Sequence, residues 1–300
     1  MTENKPFWSN YRPVAPNVGA ETRIAGMHAS ARLFIVTFAA ASAAVIVSAP
    51  ASAGIGDLLV APTRIVLDGR KGAEVILNNI GEEPATYRVS VEFRRMTSDG
   101  GLVDVEQPTA EDKLAQDMIV YAPRRVTLAP HQPQSIRLSA RPPQGLPDGE
   151  YRVHMLFRAI PPATPVADTS APAQGLHFAL TPVYGVTIPV IVRLGNLQVK
   201  AAIANVHMDQ KDGKPAVALD LTRTGDRSTY GEVRVLKAGV KDPIAVQKAV
   251  AVYKEVNSRR VVVPISGSFA GAPSGPVTVQ YVETFDDGSH TLAETQAVLR

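Results

Sequence analysis

From Leu58 onward the apolar residues of this chain return at every second position, segment after segment, which is the period of a half-buried β-strand. Segments 58–66, 73–78 and 85–93 come first, separated by Asp68-Gly69 and Gly81-Glu82-Glu83-Pro84. Asp99-Gly100-Gly101 reads as a hairpin turn. Segments 118–121, 126–128, 135–140 and 152–159 follow, punctuated by Pro123, Pro130, Pro133 and the turn Leu146-Pro147-Asp148-Gly149. The one helical signal is 110–116, where Thr109 and Asp112 stand at capping-box spacing. After Gly195-Asn196 a second series runs through 197–208, 216–224, 230–236, 244–253, 260–265, 277–284 and 290–299. Asp212-Gly213 and Asp286-Asp287-Gly288 mark hairpins within it. Two sets of about seven strands predict an all-β chain, two immunoglobulin-like sandwiches in tandem. The expected division is a leader at 1–53, a first domain at 54–195 and a second at 196–300.

The leader has the layout of a secretory signal peptide. Arg32 precedes an apolar run over 33–47, and Ala51-Ser52-Ala53 supplies small residues for cleavage after Ala53. The run is short for a bilayer span, and no basic stop-transfer cluster follows it. Initiation at Met27 instead of Met1 gives a more typical signal. An exported chain without cysteine suits the bacterial periplasm. Of 31 basic and 28 acidic residues the leader holds four and two (Lys5, Arg12, Arg23, Arg32; Glu3, Glu21), so 27 and 26 remain, a net of +1. That balance gives no support for a nucleic-acid partner.

One segment stands apart. Residues 178–193, FALTPVYGVTIPVIVR, are long for a strand and carry Pro182 and Pro189. Val186, Ile188, Val190 and Val192 share one face of the extended chain, with Phe178, Leu180 and Tyr184 continuing it. A strand broken by prolines suits a sheet edge, where part of the hydrogen-bonding row stays free. Such an edge is either covered or used to bind another strand. The Pro-, Ala- and Thr-rich stretch 161–175 before it has no period and reads as a long loop.

Catalytic chemistry finds little here. The six histidines (28, 131, 154, 177, 207, 290) include no pair at ligand spacing, so no metal or other cofactor is expected. No nucleophile elbow, phosphate loop or dinucleotide glycine pattern is present. The acidic pairs Glu82-Glu83 and Asp286-Asp287 sit in turns, where such residues serve conformation. The chain does not read as an enzyme. Three arginines within or closing apolar strands, Arg64, Arg158 and Arg193, are more telling. An arginine turned into a cleft needs an anionic partner, and a terminal carboxylate suits its two-pronged donor geometry.

At this point the text resembles a family. PTRIVLDG at 62–69 and VILNN at 75–79 resemble the first strands of the periplasmic pilus chaperones of the chaperone–usher pathway. YAPRRVTLAPHQPQSIRL at 121–138 and LPDGEYRVHMLFRAIPP at 146–162 resemble their middle strands and the segment before their variable loop. The resemblance covers 57–194 in order, and the second domain agrees in length and style. It implies a non-catalytic boomerang of two immunoglobulin-like domains. Such a protein binds pilus or fimbrial subunits by lending them a strand, and delivers them to an outer-membrane usher. Leu180, Pro182, Tyr184 and Val186 then fall at the donor positions, and Arg64 at the anchor for the subunit's terminal carboxylate. The family's second anchor, a lysine, falls on Pro189, so either Arg193 or Arg158 substitutes, or the chain is a divergent branch of the family with another docking geometry. A self-dimer through bare edge strands is a further expectation. The rival readings are an exported immunoglobulin-like structural or adhesive surface subunit, and a periplasmic ligand-binding sandwich.

Overall fold

Alternating apolar residues become a sandwich when two such sheets bury their inward rows against each other. The computed structural model describes residues 57–161, 182–285 and 288–300, which form one compact unit with two separate cores. The leader, Leu180 and most of the expected loop therefore lie outside the described residues, as does Asp286-Asp287.

In the first sandwich, β1 (Leu58–Ala61), β3 (Ala73–Asn79), β9 (Pro133–Ala140) and β7 (Ile119–Ala122) form a four-stranded sheet in the order β1-β3-β9-β7. The facing sheet has the order β2-β11-β10-β4-β8, from β2 (Ile65–Leu67), β11 (Gly185–Leu194), β10 (Gly149–Ile160), β4 (Ala85–Glu92) and β8 (Arg125–Leu128). Val75, Leu77, Ile136 and Leu138 of one sheet are buried in the same core as Tyr87, Val153, Met155, Phe157, Ile188 and Val190 of the other. The helix α1 (Ala110–Met118) carries the expected capping box at Thr109 and Asp112, and adds Ala115 and Met118 to that core. Asn79 is buried yet satisfied: its amide donates to Glu83 O at 2.8 Å and its Oδ1 accepts from Gly81 N at 3.1 Å, which fixes the turn into β4.

Two strands differ from the sequence expectation. Segment 58–66 is not one strand but two, in different sheets, with the change at Pro62-Thr63-Arg64. β1 pairs antiparallel with β3 and β2 pairs parallel with β11. Proline cannot donate to a ladder, so the chain leaves one sheet there and Arg64 sits at the crossing. Among the described residues the long strand is regular from Gly185 to Leu194, and it is not an edge throughout. β2 covers Val190–Val192, while Gly185–Pro189 pair with β10 alone among the described residues.

A short hairpin, β5 (Arg94–Met96) and β6 (Leu102–Asp104), closes at the expected Asp99-Gly100-Gly101 turn. The second sandwich stacks the sheet β12-β13-β16 on the sheet β15-β14-β17-β18. Its strands are β12 (Val199–Lys211), β13 (Lys214–Gly225), β14 (Thr229–Leu236), β15 (Ala245–Val252), β16 (Ser258–Pro264), β17 (Gly275–Phe285) and β18 (Gly288–Leu299). Val217, Leu219 and Val263 share a core with Val233, Val235, Val279 and Tyr281, whose hydroxyl donates to Val250 O at 2.8 Å.

Phe157 is fully buried and Val246 is exposed on an outer face. Phe157→Ala is expected to cost about 3–5 kcal/mol. Val246→Ala is expected to stay within about 0.5 kcal/mol. Urea unfolding of the two variants beside wild type checks both.

Candidate functional site at the junction of the sandwiches

The inward row of β10 leaves Glu150, Arg152 and His154 on the opposite face, level with Arg193, Ile191 and Pro189 of β11. This outer face meets the turns and strand starts of the second sandwich. Glu150 is buried, and its Oε2 accepts from Arg193 Nε at 2.9 Å, from Ser228 N at 3.0 Å and from Ser228 Oγ at 2.9 Å. Arg193 Nη2 also donates to Ser228 O at 2.9 Å, and Lys254 Nζ donates to Glu150 O at 3.0 Å. Beside them Glu283 takes Arg227 in a two-pronged pair, at 3.0 and 2.9 Å, and accepts from Tyr230 N at 3.1 Å. Each buried carboxylate thus has its own arginine.

Arg64 is left over. Its guanidinium lies 4.6 Å from the centre of the Tyr230 ring, a cation–π contact, and its buried Nη1 has no hydrogen-bond partner among the described residues. Burial, and then the charge of Arg193, hold its pKa below the usual arginine value, against the opposing pull of Tyr253, Glu150 and Glu283. Arginine stays protonated regardless, so this is a partly desolvated cation with a donor to spare. Carrying the Val190↔Ile65 register back one residue sets Arg64 level with Pro189. The position where the resemblance implies a second basic anchor therefore holds no charge, and lies next to the first.

The other predicted residues divide. Arg193 joins Arg64 at the junction, but its donors are engaged by Glu150 and Ser228. Arg158 is exposed at the far end of β10, opposite Gly185 and Arg88, about 20 Å along the strand from Arg152. Tyr184 is 53% exposed, its carbonyl accepting from Ala159 N at 2.9 Å, and Pro182 is exposed beside it. Val186 is half-buried against the core of its own sandwich. Among the described residues no three histidines or carboxylates gather to hold a metal.

Sequence reasoning missed Glu150, Ser228, Tyr230 and the layer beneath them. Arg152 stacks 3.8 Å from the Tyr253 ring centre and pairs with Glu255, whose Oε1 also accepts from Met96 N at 2.7 Å. Burial pushes the Glu255 carboxyl up, but the hydrogen bond and charge of Arg152 and the Met96 amide together hold it below its usual range. The β5–β6 hairpin thereby reaches the second sandwich: Met96 packs with Ala251 and Tyr253, and Ser98 O accepts from Arg260 N at 2.8 Å. His154 is buried edge-on to Tyr253, 6.4 Å between ring centres, with neither ring nitrogen partnered among the described residues. Burial, then the charges of Arg152 and Arg94, push its pKa down to about 3.

No family model and no curated protein matches the chain. Solved structures do. The chain is similar to the Pseudomonas aeruginosa CupB2 chaperone at 12% identity, over 81% of this chain and 100% of that one, with a TM-score of 0.43. It is similar to the E. coli chaperone DraB at 16% identity, over 81% and 96%, with a TM-score of 0.41. A chain of the Salmonella enterica SafA pilin–SafB chaperone complex matches at 15% identity, over 81% and 96%, with a TM-score of 0.40.

Two consequences are measurable. Glu150→Gln strips Arg193 of its buried partner and is expected to cost about 3–5 kcal/mol in denaturant unfolding. The His154 imidazole titrates near 6.5 in the unfolded chain and near 3 in the folded one. The unfolded chain takes up the proton first, so the contribution of His154 is full above 6.5 and declines toward 3. The slope approaches about 1.4 kcal/mol per pH unit. In urea unfolding between about pH 7 and pH 5, His154→Gln is expected to flatten the stability curve relative to wild type.

Proposed function

We propose that this chain is a periplasmic assembly chaperone for pilus or fimbria-like surface subunits, exported by its leader and divided after residue 195. The observation that carries this reading is the spare donor of the partly desolvated Arg64, beside a β11 whose edge is open over Gly185–Pro189 among the described residues. A subunit that lacks its last strand exposes an apolar groove and a row of unpaired backbone groups. Both are costly to leave unsatisfied when buried. The open edge supplies the missing ladder, and Arg64 receives the terminal carboxylate. Arg193 acts as a joint between the sandwiches, not as a second anchor, because Glu150 and Ser228 already hold it.

Tyr184 is the strongest donor side chain, exposed just ahead of the regular strand, with Leu180 and Pro182 before it. Val186 is the weakest, because its side chain already serves the first core. Each apolar side chain buried in a subunit groove contributes roughly 1.5–3 kcal/mol. The backbone ladder is indifferent to subunit sequence, so the side chains set selectivity. The loaded chaperone passes its subunit to an outer-membrane usher, and unloaded copies pair through the same edge. Nothing in the role calls for catalysis or a cofactor.

The test is recovery of a small β-rich subunit from the source periplasm by tagged mature protein. Wild type is expected to retain it, and Tyr184→Asp to retain at least about ten-fold less while unfolding at the same denaturant concentration. Arg64→Ala is expected to fall similarly. Equal retention by wild type and Arg64→Ala discards the anchor. No subunit with any variant, and the protein itself in surface fibres, establishes the rival reading of an exported subunit.

A further inference from the structure

The outer face of the five-stranded sheet carries a second feature, at the end away from the junction. Arg158 of β10 stands directly opposite Arg88 of β4, and Arg88 directly opposite Arg125 of β8. Residues directly opposite in neighbouring strands point to the same face. Alternation puts that face outward, because Tyr87, Val89, Val126, Phe157 and Ala159 fill the core between them. All three arginines are exposed, and none has an ion-pair or side-chain hydrogen-bond partner among the described residues. Strands lie about 4.8 Å apart, so three guanidinium stems are lined up within about 10 Å, roughly one screening length at physiological salt.

Like charges placed directly opposite each other destabilise a sheet. Two such pairs in one row are a standing cost with no relief among the described residues. The next carboxylate on this face of β4 is Glu92, two same-face positions beyond Arg88, and Arg94 and Thr187 engage it. An external anion supplies what the described residues do not.

The position of the row selects the kind of anion. Along the same register Arg158 faces Gly185, the first residue of β11 and of its open-edged stretch. Glycine puts no side chain between Arg158 and that edge. A polypeptide strand that pairs with the open edge therefore brings its own flanking residues within reach of the row, whereas a lipid surface or nucleic acid has no reason to align with a backbone ladder. We propose that the Arg158–Arg88–Arg125 row is a docking surface for an acidic segment of a polypeptide partner. This rests on the strand-addition reading above, and adds a charge requirement to the partner. Its contribution is to capture rate and selectivity, and it is sensitive to salt.

The test uses two labelled synthetic peptides with one alternating Val/Ile strand sequence, flanked in one by three glutamates and in the other by three glutamines. Association with the mature protein is followed by stopped-flow anisotropy, for wild type and for the triple variant Arg88→Gln, Arg125→Gln, Arg158→Gln. For wild type the glutamate peptide is expected to associate about ten-fold faster than the glutamine peptide, an advantage lost in high salt and in the variant. The variant is expected to be at least as resistant to urea as wild type, since it relieves repulsion. Equal rates for both peptides on both proteins overturn the row and leave strand addition standing. Row-dependent binding of the glutamate peptide alone upholds the row and overturns strand addition. No binding of either peptide overturns both, and a loss of stability in the variant makes the arginines structural and overturns the docking role. Binding of anionic lipid vesicles that depends on the row, with no preference between peptides, also overturns it.

Discussion

The junction depends on one buried carboxylate. Burying an ion costs several kcal/mol unless its partners are close and well placed. Glu150 meets that condition with three donors on one oxygen, Arg193 from its own sandwich and the amide and hydroxyl of Ser228 from the other. The arrangement commits Arg193 to the joint and fixes the end of β11 against the second sandwich. What is left uncommitted is then determined. Among the described residues Arg64 is a half-buried cation at the junction without a carboxylate, and the beginning of β11 has a neighbouring strand on one side only.

Among the described residues that beginning is open because β2 is only three residues long. A longer strand on that side would close the sheet. The proline at 62 falls where the chain passes to the other sheet just before Arg64, so one backbone event both positions Arg64 and stops the covering strand short. Natural sheets guard open edges with prolines, charges and brevity. Pro189 and the exposed Pro182 fit that pattern, and Tyr184 does not, being large, partly apolar and bare.

The alternating strands and the helix were legible in the sequence because they are local. Thr109 and Asp112 lie three residues apart, and the Asp99-Gly100-Gly101 turn joins adjacent strands. The two-sandwich architecture follows from the number and spacing of such segments. The junction was not legible, because its pairs are remote: Glu150 and Ser228 are 78 residues apart, and Arg152 and Glu255 are 103 apart. Before the fold is known, Glu150 is only another acid after a turn, and Tyr230 only a strand aromatic. Arg64 drew attention because a cation among apolar strand residues needs a reason. Its neighbour Tyr230 and the commitment of Arg193 come from the other half of the chain. The arginine row has the same character, since Arg88, Arg125 and Arg158 fall into line only once three strands are in register.

The hairpin that reaches across to Glu255 has a consequence for how the chain is made. Met96 N and Glu255 Oε1 are separated by 159 residues, and Ser98 O waits for the amide of Arg260. Closing a loop of that length gains nothing until both ends are already ordered. The first sandwich has all the strands of its own core by Leu194 and completes it without the second. The hairpin's outward side, with Met96, therefore stays wet until the turn after Tyr253 exists. The joint cannot form before residues 255–260 are in place, whereas each core closes within its own half of the chain. The two sandwiches are thus held to each other by polar contacts and one small apolar cluster, while each core is closed by its own strands.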